Sequence, residues 1–478
     1  MREQERHFAV VNGIGFGEET KGNTVQSLVR ELDAHTVWRS GGWQGGHHIV
    51  HDDGREMAFS FFGAGTFEGA ETYINHMVIS PVELFQEAMM LEDLGIPKPL
   101  DLIAIDEDCL ATTPFHGAIS RAREILRGSN RKGTIGKGVG EAIKDSSDPE
   151  LTIRAGEFGD RATILRKLEN IRRQKLKIAE ELLRAYPGVL PEEFFPEMHV
   201  LQDEDLVELI ADSFGFASDL VRIVGNDYLD KLLKRNGSIV NEVSHGTLHH
   251  PWYGFVPHVT QIDPTSQEVI AAVKSHNYDG NLMRLGVVRS YLTRHGAGPL
   301  VSFDRDLTNT LVETHNNSAN DWLGEFRTGH FDIVALQYAL AIGGGKETFD
   351  GLFISFMDVL SKRKDWQVCE SYEYTGSASD LEDYFEVEGD RILGIKVYPN
   401  NRDEAHYRHQ LRLTKLLAEC RPILQTLSAT EDKTLEQVFL QYVTEKLGVP
   451  VVGTAYGPKV SDRYFLPAWQ NVRAKGLR

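Results

Sequence analysis

Apolar positions along the chain alternate between short unbroken runs and longer stretches of helical period. Phe8 to Val11 is a four-residue run of strand character, and Thr24 to Leu32 sets Val25, Leu28, Val29 and Leu32 at helical spacing before a second strand, His35 to Trp38. Ser80 as N-cap, Pro81 in the first turn and Gly95 as a stop delimit a helix running to Leu94. Leu102 to Asp106 reads as a buried strand, and Pro114 to Arg127 as a helix. From Arg161 to Ala185 a charged amphipathic helix carries Ile164, Leu165, Leu168, Ile171, Leu176, Ile178 and Leu182 on its apolar face, for packing on a core or subunit surface. Ser238 to Glu242, Leu285 to Ser290 and Leu352 to Asp358 are further strands, and between about Lys364 and Ile395 the alternation reads as an antiparallel accessory sheet. Strands that end in Gly-rich loops before helices predict an α/β fold with a large, mostly parallel central sheet flanked by helices, its ligand crevice at the carboxyl ends of the strands. With no internal repeat, low-complexity run or clear linker, the expectation is a single domain over 1–478 with a helical insertion at about 157–235 and accessory strands at about 364–395.

Composition narrows the class. The 478 residues are 41% hydrophobic and 25% charged, ordinary for a soluble globular protein, and the formal charge of -19 argues against a nucleic-acid partner. The basic run Arg172-Arg-Gln-Lys-Leu-Lys177 is expected to be the solvated face of a helix. Cys109, Cys369 and Cys420 form neither a disulfide framework nor a zinc spacing and fit a reducing compartment. The polar N-terminus leaves no room for a signal peptide, and no apolar run approaches membrane-spanning length, so a cytoplasmic protein without a membrane partner is expected.

Candidate chemistry sits in three Gly-rich loops. The first, Val11-Asn-Gly-Ile-Gly-Phe-Gly-Glu-Glu-Thr-Lys-Gly-Asn23, follows the first strand, where glycines let backbone N–H groups approach phosphate oxygens and Lys21 supplies a point charge. Its spacing is not that of a Walker motif. Arg39-Ser-Gly-Gly-Trp-Gln-Gly-Gly-His-His48 follows the second strand, and Gly133-Thr-Ile-Gly-Lys-Gly-Val-Gly140 is the third.

Phe16-Gly-Glu-Glu-Thr-Lys-Gly-Asn23 resembles the Trp-Gly-Asp-Glu-Gly-Lys-Gly-Lys opening of the adenylosuccinate synthetase family, and the likeness recurs down most of the chain. The resemblance implies a P-loop-NTPase-like fold, a homodimer or higher homo-oligomer, a nucleoside triphosphate (GTP or ATP) with Mg2+, and a purine nucleoside monophosphate whose 6-oxygen is phosphorylated and then displaced by an amine. It implies Glu18 as the base and a magnesium ligand, the Gly46 carbonyl as a second ligand, His47 as the acid at the base oxygen and Lys21 on the phosphates. Gly15, Gly17, Gly22, Gly45 and His48 join the phosphate-binding loops, Thr134 and Lys137 take the monophosphate, and His245, Thr260, Arg294, Arg327, Asp358 and Gly457 complete the nucleotide contacts.

Departures from the family pattern are specific. Ile135 and Lys137 replace a threonine and an arginine, Asp148-Pro-Glu150 stands where the family sends a basic residue in from a neighbouring subunit, and Arg154 matches the later arginine. His245 replaces a glutamine and His295 a valine, while Phe356 replaces the lysine that covers guanine. The family's arginine-rich aspartate loop is Asp321-Trp-Leu-Gly-Glu-Phe-Arg-Thr-Gly-His330, so the amine donor stays open. A purine-nucleotide ligase with an altered donor site is the leading expectation; a catalytically reduced nucleotide sensor, or a phosphoryl-transfer or NTP-hydrolysing enzyme without the amino-acid step, are the alternatives.

Overall fold

The computed structural model describes residues 6–128, 131–225, 227–315 and 324–475. Its frame is an 11-stranded sheet. The first strand, β1 (His7–Gly13), is buried along its whole length and leads through the first Gly-rich loop into α1 (Lys21–Glu31), which is followed by β2 (Ala34–Gly42). From one edge the strand order is Arg463–Phe465, Val451–Ala455, Gly351–Ser355, Asn281–Arg289, β1, Ser238–Gly246, β2, Glu71–Ile79, Ile103–Asp106 and Arg222–Val224. Every pairing in it is parallel except that of Arg463–Phe465, and Leu110–Ala111 adds a short parallel pair to Glu71–Ile79. Because β1 lies between two strands formed more than two hundred residues later, its exit loop faces residues from distant parts of the chain, the arrangement that builds ligand crevices in such sheets.

Two large apolar clusters pack against the sheet. One joins Ala9 and Val11 to Val25 and Leu28 of α1, Phe115 and Ile119 of helix Pro114–Arg127, and Ile164 and Leu168 of helix Arg161–Ala185. The other joins Ile14 and Phe16 to helix Ile333–Ile342 and to the accessory sheet. That sheet contains Asp365–Tyr374, Phe385–Glu388 and Arg391–Ile395, as the alternation implied, and also Cys420–Ser428, antiparallel to Asp365–Tyr374 and outside the expected range.

One expectation holds in detail and two shift. Helix Arg161–Ala185 has the expected bounds, with the Asp160 side chain accepting from the Thr163 N–H at its start. Its basic run is not wholly solvated: Arg172 and Lys175 are buried and paired with Glu169 and Asp145 at 2.9 and 2.6 Å, while Arg173 is exposed. Long aliphatic stems pack while their heads find carboxylates. The strand expected over Leu352 to Asp358 ends at Ser355, because Phe356 takes a positive φ of 59° and turns the chain into the short helix Asp358–Ser361. Among the described residues no helix is long and apolar enough to cross a membrane.

Candidate active site

The carboxyl ends of the parallel strands carry the candidate residues. Glu18 and Lys21 follow β1, His47 follows β2, and His245 closes the strand Ser238–Gly246. Asp358 follows Gly351–Ser355, and Gly457 follows Val451–Ala455. The first loop can lie against the strand Ser238–Gly246 only because Gly246 is a glycine; a Cβ there would fall on the Gly15 carbonyl and the Gly17 amide.

A cavity of about 390 Å³ opens along this edge. Gly17, Glu18, Gly45, Gly46, His47, His245 and Thr260 line it, as do Thr134 and Lys137 of the third Gly-rich loop. The cavity therefore brings together segments from Phe16 to Ala297, about 280 positions apart in the chain. Lys137 rests its ammonium over the Trp43 ring at 4.1 Å, and burial lowers its pKa.

His47 is the most constrained group on the wall. Its Nδ1 makes a short contact with the Glu242 carboxylate and lies 2.8 Å from the Arg39 guanidinium, which itself lies 3.2 Å from Glu242. Glu242 also accepts from the Ala64 N–H at 2.9 Å. Burial alone would raise Glu242, but Arg39 and His47 outweigh it and hold the carboxyl down at about 2. Burial drives His47 down to about 4, with Arg39 and Lys21 acting in the same direction and Glu242 against them. A neutral ring that gives its Nδ1–H to Glu242 leaves Nε2 as the nitrogen open to a ligand.

His245 is likewise neutral, pushed by burial and by Lys21 to about 3, and its Nδ1 is buried without a hydrogen-bond partner among the described residues. Glu18 is more open, its side chain 37% exposed, and Arg289 donates to its backbone carbonyl. Glu18 and Gly46 offer a carboxylate and a carbonyl on the same cavity wall, hard oxygen donors of the kind Mg2+ takes alongside phosphate and water. Among the described residues no cluster of three or more His, Cys, Asp or Glu forms a cage for a metal.

Other candidates lie off the cavity wall. Lys21 is buried, 3.2 Å from Glu19 and 3.0 Å from the Gly17 carbonyl, so the loop already holds its charge. Gly15 and Gly22 pack beneath the loop, with the Glu19 carboxylate beside one and the His47 side chain beside the other. His48 alternates with His47 along strand His47–Val50 and points away, its side chain 61% exposed beside Glu56. Asp358 is half-buried with a raised pKa, chiefly from burial, and Gly457 sits against Asp462. Arg294 and Arg327 face each other in the antiparallel pair Leu292–His295 and Phe326–Gly329. Arg294 is fully buried, donating to the Pro299 and His258 carbonyls at 2.8 and 3.1 Å, with its guanidinium 4.5 Å from the centre of the Phe16 ring. Arg327 donates to the carbonyls of Gly296 and Gly298. Glu325 pairs with Arg305, and Asp321 and Trp322 lie outside the described residues.

Sequence reasoning passed over Arg39, Glu242 and Glu19, each of which orders a candidate residue. The signal was present: an arginine inside an otherwise apolar strand, and a glutamate at the head of the Glu242-Val-Ser-His-Gly-Thr-Leu run, are buried charges that require partners. His249 also lines the cavity and had no comparable mark.

Residues 10–463 match the family model described as adenylosuccinate synthetase. An adenylosuccinate synthetase from Thioalkalivibrio sulfidiphilus is 28% identical over 467 residues, covering 94% of this chain and 96% of that protein. One from Vibrio vulnificus is 30% identical over 379 residues, covering 76% of this chain and 80% of its own length. In structure, the fully ligated adenylosuccinate synthetase from Plasmodium falciparum superposes with a TM-score of 0.71 at 21% identity, covering 96% of this chain and 99% of the other. The cyanophage S-2L succinoaminodeoxyadenylate synthetase bound to dGMP and dATP gives a TM-score of 0.53 at 15% identity, covering 99% of both chains.

Proposed function

Because the chain belongs to the adenylosuccinate synthetase family, a family of C–N ligases that use GTP, we propose that it uses a nucleoside triphosphate to phosphorylate the 6-oxygen of a purine nucleoside monophosphate, and that an amine then displaces the phosphate. The observation that supports this most is one cavity wall bearing Glu18, Gly46, His47 and His245, with His47 tied to Glu242.

In this reading the Glu18 carboxylate takes the proton from the ring nitrogen beside the carbonyl, and the resulting negative charge on the 6-oxygen makes it the nucleophile for the γ-phosphorus. The nucleoside diphosphate leaves, the amine attacks the ring carbon, and inorganic phosphate departs with the former 6-oxygen. His47 serves from Nε2, donating to that oxygen. A neutral His47 has no proton at Nε2, so the site must take one up; the negative charge of bound phosphates favours this, and Glu242 holds the imidazolium in place. Magnesium, on which the family depends in general, would be held by Glu18 and the Gly46 carbonyl and would neutralise charge on the triphosphate.

The amine donor is proposed to differ from the dicarboxylic amino acid of the family, since Arg327, the arginine that remains of the aspartate loop, already donates to backbone carbonyls. Acceptors with a 2-amino group or a deoxyribose, and ATP as donor, fall within the proposal; the cyanophage protein accommodates dGMP and dATP on this fold. Mass spectrometry of reactions containing IMP, dIMP, GMP or dGMP with GTP or ATP and mixed amines tests it. A new purine adduct formed with stoichiometric phosphate release is expected. Phosphate release without an adduct would overturn the ligase reading in favour of a hydrolytic one.

A further inference from the structure

The two charged groups around His47 are both tied to one short irregular segment, 60–64. Arg39 donates to the Ser60 carbonyl at 2.8 Å and to the Gly45 carbonyl at 3.3 Å, while Glu242 accepts from the Ala64 N–H at 2.9 Å. Arg39 lies 3.2 Å from Glu242, and Glu242 contacts His47. A shift of segment 60–64 would therefore move both of them at once. What fixes the segment is a carboxylate that does not line the cavity: Glu87, buried, on helix Pro81–Asp93. One of its oxygens accepts from the N–H groups of Ser60 and Phe61 at 2.8 and 3.1 Å, the other from those of Phe61 and Phe62 at 3.0 and 2.8 Å. The next N–H, that of Gly63, goes to the Thr72 hydroxyl at 2.9 Å. Each oxygen of Glu87 thus meets two donors, which only the ionised form satisfies; a proton on either oxygen, or an amide in its place, would set a donor against an N–H. Among the described residues, Arg39 of β2 and Lys137 of the third Gly-rich loop are the cations that face Glu87, and Lys137 is shared with Glu83 of the same helix. Burial raises Glu87 to about 7, against the three N–H groups and Arg39, so its charge changes near neutrality.

We propose that Glu87 is a positioning residue for the reaction: its ionised carboxylate holds segment 60–64 in the place from which Ser60 and Ala64 align Arg39 and Glu242 around His47. The inference rests on the reading that His47 acts on the 6-oxygen of the acceptor. Glu87 touches neither substrate nor His47, so its loss should reach the rate through geometry and leave substrate binding in place.

Phosphate release with IMP or dGMP, GTP and mixed amines, followed from pH 8 to pH 6 in wild type and Glu87→Gln, tests the brace. At pH 8 the variant is expected to show kcat about tenfold lower, with KM for both nucleotides within about threefold of wild type. The ratio of the two kcat values should then close toward one by pH 6, as wild-type Glu87 takes up its proton. Glu87→Asp keeps the charge with a shorter reach and should restore kcat to within about threefold, which keeps the test readable if the Gln variant does not fold. A ratio that stays constant with pH, or KM values that rise as kcat falls, would overturn the proposal. A second readout needs no turnover: in protein labelled with 13C at the histidine Cε1, with the His47 signal assigned by its loss in His47→Gln, Glu87→Gln should move that signal and leave the signal of His409 in place. If wild type shows no turnover, a moved His47 signal supports the brace and removes the ligase reading. With wild-type turnover intact, an unmoved signal overturns the brace alone.

Discussion

Two regions of the crevice retain family residue types, and only one leaves them free to act. On the wall formed by β1, β2 and Ser238–Gly246, His47 is fixed through Nδ1 by Glu242, which Arg39 in turn holds at 3.2 Å, and this leaves its other nitrogen open to the cavity. On the hairpin Leu292–His295 and Phe326–Gly329, Arg294 and Arg327 are kept, yet both guanidiniums are turned into backbone carbonyls of the segment 296–299 and its neighbour His258. The hydrogen-bond partner of a retained residue, more than its identity, tells whether it still meets substrate.

The largest test of that contrast is the amine donor. A dicarboxylic amino acid needs forked cationic donors, and losing two charge-assisted pairings of about 2 kcal/mol each weakens binding by roughly a thousandfold. Repulsion adds less than the bare sequence implies, because Glu325 is paired with Arg305. L-aspartate is therefore expected not to saturate adduct formation below tens of millimolar, measured by succinyl-purine yield against aspartate concentration. Saturation at sub-millimolar aspartate would erase the difference between the two regions.

Acid–base groups on the opposite wall should matter next. Glu18→Ala and His47→Ala are each expected to slow phosphate release by about 100-fold, the range of a lost acid–base group. Glu242→Gln keeps the ring contact but removes the charge that favours imidazolium, so a drop of about tenfold in kcat with little change in KM is expected, together with an altered pH profile. Full activity in both alanine variants would move the chemistry elsewhere.

Much of this layout was legible in the chain. The bounds of helix Arg161–Ala185 and the start of α-helix Pro114–Arg127 follow from apolar spacing and caps, because local signals decide them. Cys420–Ser428 escaped notice because its membership of the accessory sheet depends on pairing with Asp365–Tyr374, a contact some fifty residues away that no local pattern encodes. The first two Gly-rich loops were readable as loops of one cleft, since both follow parallel strands. Partners were not: nothing local states that Lys21 is held by Glu19, or that Arg327 bonds carbonyls instead of a ligand.

Partly buried histidines offer a third comparison, read as stability against pH. His245 has its pKa lowered to about 3 in the folded chain, against about 6.5 when unfolded, so the unfolded state binds the extra proton as pH drops below 6.5. Stability from this residue is thus highest above pH 6.5 and falls toward pH 3, by about 2 kcal/mol at pH 5. His245→Gln should flatten the loss between pH 7.5 and pH 5 by about that amount in urea titrations. His295→Gln on the hairpin, where burial lowers a half-buried ring, should flatten it less. Glu87, raised by burial to about 7, works in the opposite direction over the same window, but it is common to all the variants and cancels from the difference. Equal slopes in wild type and His245→Gln would show that His245 is not buried as a neutral ring.

The smallest effect concerns the choice of triphosphate base, where retained and replaced residues sit two positions apart. Asp358 keeps one acceptor for guanine, its pKa raised chiefly by burial, with Asp462 adding to the rise. Phe356, in place of a lysine, already has the Arg289 guanidinium 4.3 Å from its ring centre and Tyr291 against its edge, so what it can offer a base is an apolar surface. Apolar stacking separates purines poorly, whereas buried hydrogen-bond matching separates them by 10⁴-fold or more. The expected ratio of kcat/KM for GTP over ATP is therefore no more than about tenfold, and Asp358→Asn should lower GTP use by less than about tenfold while leaving ATP use unchanged. A guanine preference above about 1000-fold in the wild-type chain would mean that another group reads the base, and would place this end of the crevice with the catalytic wall as a region whose retained residue still meets its ligand.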